Sequence, residues 1–261
     1  MSTDPSVPIP TVVGLAGTAH RALLEQLAIP VVAEPVAGRF LRIEVEGQLE
    51  LRPPDELDRR GIRAELPPER AAGSARAHPL VRAFGKARTT IFDLTAGLGA
   101  DAYRLADAGH RVRACEREPV LYALLVSGWA QARRTGQVPS AVADRLEFVH
   151  GEARALLDSI ALADAEAGAA YLDPMYPPPK RASALPRREL QVLRRLLGRD
   201  DDAAELLAAA RARFARVVVK RPTHAPPLAE DVSYEVESKL LRLDVYLDPK
   251  RMGARAEAMS S

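Results

Sequence analysis

The densest chemistry in the chain lies in Ile91–Ala102, IFDLTAGLGADA. A short apolar run ends in Asp93, and a turn of small residues follows (Thr95, Ala96, Gly97, Gly99). Helix-forming sequence then resumes with Asp101 in its first turn. A strand that feeds a glycine turn into a helix N-terminus lets a ligand lie against bare backbone amides. The next apolar run, Arg111–Cys115, ends in the acid Glu116, and a later one, Ala169–Leu172, ends in Asp173-Pro174-Met175-Tyr176. Gly97–Ala102 satisfies the loose dinucleotide pattern G-x-G-x-x-[GA], and Glu116 stands where a ribose-binding acid belongs. A carboxylate there grips the hydroxyls of an adenosine ribose in NAD and in S-adenosylmethionine alike. Pyrophosphate needs free amides with no fixed anion close by. Asp93 before the turn and Asp101 after it therefore favour the cationic ligand, S-adenosylmethionine, held by Asp93, Thr95, Gly97, Gly99, Asp101 and Glu116.

The second turn narrows the reaction. Asp173-Pro174-Met175-Tyr176 resembles the [DNS]-P-P-[YFW] tetrapeptide of amino-group methyltransferases, with Met in the third place. An exocyclic amine on a base is a poor nucleophile, because its lone pair is delocalised into the ring. Acceptors at the Asp173 carboxylate and the Pro174 carbonyl can bind its two N–H groups and aim the nitrogen at a sulfonium methyl. Tyr176 would stack on the base, worth about 1–3 kcal/mol. Methyl transfer of this kind is an in-line displacement, so positioning supplies much of the rate. Asp173, Pro174 and Tyr176 are thus the expected catalytic residues.

These residues need a scaffold that brings strand ends together. From about Thr89 the chain alternates strand and helix: a helix over Gly99–Ala108, a strand at Arg111–Cys115 and a helix over Pro119–Arg134. Strands follow at Leu146–Val149 and Ala169–Leu172, with a helix over Glu152–Ile160 between them. Helices at Arg187–Leu197 and Ala203–Phe214 lead to a strand at Val217–Val219, and Val232–Val236 with Leu240–Leu247 reads as a closing antiparallel pair. Leu121, Leu124, Leu125, Gly128 and Trp129 fall at helical spacing, which makes Trp129 a core residue. The pattern predicts an α/β fold with a mostly parallel sheet covered on both faces, whose ligands bind beyond the carboxyl ends of the strands. Every residue singled out above lies at such an end.

Before it, residues 1–88 read as a small α+β module and linker. Short strands are expected at Thr11–Gly14, Val31–Ala33, Phe40–Val45 and Leu49–Leu51, a helix at Thr18–Leu27, and a hairpin turn at Gly47–Gln48. The methyltransferase domain is expected over 89–250, and 251–261 as a flexible tail.

Composition sets the remaining bounds. The formal net charge is +2, but Lys180–Arg221 holds twelve Lys or Arg against five Asp or Glu. One basic segment on a near-neutral chain suggests a polyanion docking face. Lys180, Arg181, Arg187, Arg188, Arg194, Arg195, Lys220 and Arg221 are the expected RNA contacts. No apolar run approaches the ~18 residues of a membrane span, and MSTDPSVPIP lacks the pattern of a secretory signal, so a cytoplasmic protein is expected. Five histidines show no ligand spacing, so no metal is expected. The single cysteine, Cys115, reads as a small buried hydrophobe. No G-x-S-x-G elbow or Walker loop is present.

DLTAGLGADA at 93–102, CEREPV at 115–120, YLDPMYP at 171–177, VVVKRP at 217–222 and APPL at 225–228 together resemble the ribosomal RNA small-subunit methyltransferase J family. The resemblance spans about residues 89–249. It implies a class I, Rossmann-like methyltransferase sheet with an N-terminal extension, acting on the N2 amine of a guanine in 16S rRNA. Carried over by position, the S-adenosylmethionine contacts fall on Ala100, Asp101, Glu116, Arg117, Glu152, Ala153 and Asp173. Ala100 stands where relatives usually carry arginine, and Glu152–Ala153 replaces hydroxyl residues. The family's basic, glycine-rich segment before the main domain is reduced here to Gly73–Gly85. The expected partner is small-subunit rRNA or the ribosomal subunit. The residues alone leave open an amino methyltransferase of another target (adenine N6 or a protein amide), an NAD-dependent oxidoreductase, and a non-catalytic RNA-binding assembly factor.

Overall fold

The computed structural model describes residues 13–15, 18–31, 40–68, 78–85, 89–175, 188–197, 201–238, 241–249 and 251. The chain begins with a small sheet: β1 (Val13–Leu15), α1 (Thr18–Gln26), β2 (Leu41–Val45) and β3 (Gln48–Arg52). β1 runs parallel to β2, and β2 antiparallel to β3. The hairpin turn sits on Glu46–Gly47, one residue earlier than expected, with both residues at positive φ as a two-residue hairpin turn requires. The strand expected at Val31–Ala33 lies outside the described residues except for Val31, which has no regular structure.

Part of the expected linker is instead a helix, α2 (Pro79–Phe84). Pro79 at its first turn has no N–H to leave unsatisfied, and the ring of His78 accepts the Leu80 N–H at 3.3 Å. Leu80, Val81, Ala83 and Phe84 are all buried. Six residues are too few to show a helical period, which is why composition alone reads them as linker.

The main sheet then builds in order: β4 (Thr90–Asp93), α3 (Ala100–Asp107), β5 (Arg111–Glu116), α4 (Pro119–Arg134), α5 (Ser140–Ala143) and β6 (Leu146–His150). It continues with α6 (Ala153–Ser159), α7 (Leu162–Ala167), β7 (Ala169–Leu172), α8 (Arg188–Leu197), α9 (Ala203–Arg211), β8 (Arg216–Pro222), β9 (Tyr234–Glu237) and β10 (Leu241–Leu247). The strand order is β6-β5-β4-β7-β8-β10-β9, with β10 antiparallel to both its neighbours. The pairs among β4, β5, β6, β7 and β8 are parallel. The order reverses between β4 and β7, and a crevice opens there at the carboxyl ends of the strands.

Alternation along the strands gives two cores. Phe92, Cys115, Ala170, Leu172, Val217 and Val219 face α6 and α9, whereas Ile91, Val112, Ala114, Tyr171 and Val218 face α2 and α3. Both faces being covered accounts for the near-continuous apolar character of the strands.

A third core joins the N-terminal residues to the main sheet. Leu24, Leu49, Leu51 and Ile62 pack on Val120, Leu121 and Leu124 of α4 and on Val192 and Leu193 of α8. The approach is close: a Cβ on Gly128 would lie 2.2 Å from the Ala64 carbonyl oxygen. Ser127 Oγ accepts the Leu49 N–H at 2.8 Å and lies 3.0 Å from His20 Nε2, whose other ring nitrogen is 2.9 Å from Glu44. Among the described residues no helix is long and apolar enough to cross a membrane.

Candidate active site

The glycine turn after β4 is strung between its two neighbouring strands. Leu94 N–H donates to the Tyr171 carbonyl and Ala96 N–H to the Cys115 carbonyl, both at 2.9 Å. Gly99, at φ +80°, starts α3, and a Cβ on it would lie 2.4 Å from the Leu125 side chain. Only glycine meets both demands, the left-handed backbone and the contact with α4.

Two carboxylates and one backbone amide hold this turn. Asp93 is buried and its Oδ1 accepts the Thr95 N–H at 3.1 Å. Burial, and then the charges of Asp101, Asp173 and Glu116, push its carboxyl well above the usual range. Glu116 accepts the Gly97 N–H at 2.7 Å and the Glu118 N–H at 2.8 Å. It thereby ties the glycine turn to the start of α4. Burial raises its carboxyl to about 7, despite those two amides. Asp173, at the end of β7, donates its backbone N–H to Thr95 Oγ1 at 2.6 Å. Thr95 is therefore the link between the glycine turn and the Asp173–Pro174 turn.

Two clefts meet at this link. Thr95, Gly97, Leu121, Asp173, Pro174 and Met175 line both. One continues past Glu116, Arg117, Glu152 and Ala153 to Leu197 and Leu206. Its acid at the end of β5 and its apolar walls suit a ribose and an adenine ring. Arg117 is turned to Asp202, 2.7 Å away, across this lobe. The other lobe, of about 540 Å³, is lined by Asp93, Gly99, Ala100 and Asp101 on its floor and by Leu190, Leu193 and Arg194 of α8 on its wall. Ala100 offers no side-chain donor, so any contact there is through backbone.

Lys220 sits between the two acids of that second lobe. Its Nζ is 2.7 Å from Asp101 Oδ2 and 2.8 Å from Asp173 Oδ2. Asp101 also accepts the Tyr171 hydroxyl at 2.8 Å and Arg104 at 3.0 Å. Burial pushes Asp101 up, but the Lys220 charge and these hydrogen bonds more than offset it and hold the carboxyl below its usual range. Burial works against the Lys220 charge, and the two carboxylates overcome it, leaving the ammonium harder to deprotonate than usual.

This geometry corrects part of the expected RNA set. Lys220 is spent on two carboxylates in the cleft floor, and Arg221 is buried with its guanidinium on the Pro226 carbonyl, so neither presents a charge to a phosphate. Arg188 and Arg195 are turned to the N-terminal residues: Arg188 Nε donates to Glu56 at 2.6 Å, and Arg195 pairs with Asp55 at 2.8 Å while lying over the Phe40 ring. Their recurrence at seven-residue spacing marks the face of α8 that docks on the N-terminal residues. Arg194 does line the cleft. Tyr176, Lys180, Arg181 and Arg187 lie outside the described residues. Cys115 is buried and its thiol is raised to about 12, first by burial, as fits a packing residue.

Sequence reasoning missed three participants: Tyr171, whose hydroxyl reaches Asp101; Leu206 at the N-terminal end of α9; and the bridging role of Lys220. Tyr171 carries one signal, a hydroxyl in an otherwise apolar buried strand one residue before the strand's end. Lys220 carries another, a lone lysine after three valines.

The strand order, the glycine turn after β4, the acid after β5 and the acid–proline turn after β7 define a class I S-adenosylmethionine-dependent methyltransferase. The donor set fits that cofactor: acids at Glu116 and Asp101, a glycine turn that lets a ligand approach the backbone, and, among the described residues, only Arg117 and Arg154, each paired with a carboxylate, as cations on the lobe that holds Glu116. The family model described as "Putative SAM-dependent methyltransferase" matches residues 39–248. The "Ribosomal RNA small subunit methyltransferase J" of Thioalkalivibrio sulfidiphilus (strain HL-EbGR7) is 39% identical over 239 residues, covering 87% of this chain and 91% of that protein. The protein of the same name from Rhodopseudomonas palustris (strain BisB5) is 38% identical over 185 residues, 69% of this chain and 81% of its own. The crystal structure of a SAM-dependent methyltransferase from Neisseria gonorrhoeae superposes with a TM-score of 0.64 at 25% identity, covering 90% of this chain and 95% of that one. The chain belongs to the ribosomal RNA small subunit methyltransferase J family.

Proposed function

We propose that this enzyme methylates the exocyclic N2 amine of a guanine in small-subunit rRNA. The observation that carries the reading is the placement of Asp173 and Pro174: they line both lobes, at the point where the adenosine side meets the larger cleft. The names of the relatives supply the polymer, small-subunit rRNA. When bound, S-adenosylmethionine supplies an electrophilic methyl group on a sulfonium. Glu116 accepts from the ribose hydroxyls, and Asp101, whose ionised form Lys220 and Arg104 favour, places negative charge on the side of the turn where the methionine portion lies. Asp173 and the Pro174 carbonyl accept the two N–H groups of the amine and hold its lone pair toward the methyl. The nitrogen becomes cationic as the bond forms, so the Asp173 carboxylate stabilises the transition state more than the ground state. It is also placed to take the proton that the nitrogen then sheds.

Arg194, on the cleft wall, is the described basic residue we retain as a phosphate contact, with Lys180, Arg181 and Arg187 on the segment leading to α8. Tyr176 keeps its proposed stacking role on the base. The work is done in the cytoplasm, where rRNA is found. Mass spectrometry of rRNA nucleosides from cells lacking the protein should show loss of one N2-methylguanosine. Wild-type protein should restore it and Asp173→Ala should not. An unchanged nucleoside profile in the deletion strain overturns the reading.

A further inference from the structure

Lys220 does more than fix a carboxylate. An ammonium has three hydrogens; Lys220 directs two of them to Asp101 and Asp173, and no third acceptor is within reach among the described residues. Its side chain is 27% exposed and lines the larger lobe beside Asp173. The cleft floor therefore presents a donor and an acceptor side by side, 2.8 Å apart.

We propose that Lys220 sets the preference for guanine, by donating to O6 while Asp173 accepts N1–H and one N2–H; the inference rests on the guanine-N2 reading above. Guanine presents O6, N1–H and the N2 amine in a row, an acceptor followed by two donors. Lys220 Nζ followed by the Asp173 carboxylate is the complementary row, a donor followed by an acceptor group. A carboxylate has about four lone-pair directions, enough to take Lys220 and two base N–H groups together. The second N2–H falls to the Pro174 carbonyl. Adenine inverts the pattern: its N1 lone pair would meet the Asp173 carboxylate and its N6 hydrogens would meet the ammonium. Both contacts are repulsive, and a site built to hydrogen-bond one partner rejects an analogue that leaves its polar groups unpaired. The position of Lys220 is over-determined, because Asp101 on α3 and Asp173 after β7 hold it from two sides. The donor is therefore aimed before the base arrives.

The test uses small-subunit rRNA carrying either guanine or 2-aminopurine at the methylated position. 2-Aminopurine keeps the N2 amine but lacks O6 and N1–H. The full-length enzyme should methylate guanine about 10- to 100-fold better in kcat/KM, the discrimination expected of a lost bidentate base contact. Equal rates overturn the proposal. Lys220→Met should be slower on both substrates and should lose most of that ratio; a merely structural lysine would slow both and leave the ratio intact, which also overturns it. If Lys220→Met fails to bind S-adenosylmethionine, Lys220→Gln keeps an N–H donor without the charge. It should retain most of the preference, and a Gln variant indifferent to the two bases overturns the assignment. Absence of any methylation of guanine by the wild-type enzyme would instead sink the guanine-N2 reading itself.

Discussion

Glu116, buried, and Asp101, half-buried, stand in the two adjoining lobes of the site, yet their charges are managed in opposite ways. Asp101 has Lys220, Arg104 and the Tyr171 hydroxyl and is held below its usual range. Glu116 has two backbone amides, and burial raises it to about 7. The lesson is that burial alone does not fix the state of an acid here. A lysine and an arginine stabilise the charge on Asp101, whereas the two amides at Glu116 do not offset its burial.

The comparison breaks most decisively at Asp173. Asp173→Ala should lower turnover by about 100-fold or more with little change in S-adenosylmethionine affinity, since an aligned acceptor acts mainly in the transition state. Single-turnover kinetics and calorimetry on the same preparation separate the two effects, and a comparable loss in both would move Asp173 to the cofactor side. Glu116→Ala should do the reverse and weaken S-adenosylmethionine by roughly 1.5–3 kcal/mol through lost charge-assisted hydrogen bonds. Unchanged affinity in a folded variant would remove Glu116 from the ribose.

The pH dependence sharpens the contrast. Because the folded-state value of Glu116 lies above that of an unfolded chain, the free protein gains stability from the neutral acid at low pH. It loses that gain as pH rises through about 7. Ligand binding wants the carboxylate, so cofactor affinity should climb across the same window and level off above it. Titration calorimetry from pH 6 to about 8.5 should show this climb in the wild type and a flatter profile in Glu116→Gln. Asp101, held low by Lys220, contributes no step in that window. The smallest effect is expected at Arg194. Arg194→Ala should reduce the slope of log RNA affinity against log salt by roughly 0.7–0.9, the share of one phosphate contact, and leave cofactor binding alone. An unchanged slope would make it a wall residue only.

Much of this was legible in the residues. The helix at Pro119–Arg134 and the strand at Ala169–Leu172 have the boundaries their apolar spacing predicts. Asp93, Gly97, Glu116 and Asp173 are grouped because topology gathers strand ends. What was not legible has a common cause. α5 and α7 are four and six residues long, too short for a period to emerge. The fates of Lys220, Arg188 and Arg195 depend on partners over forty residues away: Asp173 for the first, Glu56 and Asp55 for the others. Local charge density reads all three as solvent-facing, and only tertiary contact reveals that they are paired with carboxylates.

The third core also has a consequence in time. A chain is made from its N-terminus, and units that can fold early usually do. Here β3 is synthesised long before the surface it covers: the Leu49 N–H must wait 78 residues for Ser127 Oγ, and Leu51 waits for Leu124 and then for Val192. Until α4 has emerged, Leu49 and Leu51 have only early neighbours such as Leu24, Leu27 and Ile62 to close on, and a nascent chain stopped before residue 119 would show the rest of that apolar side to any chaperone within reach. The segment that is born first is among the last to be finished.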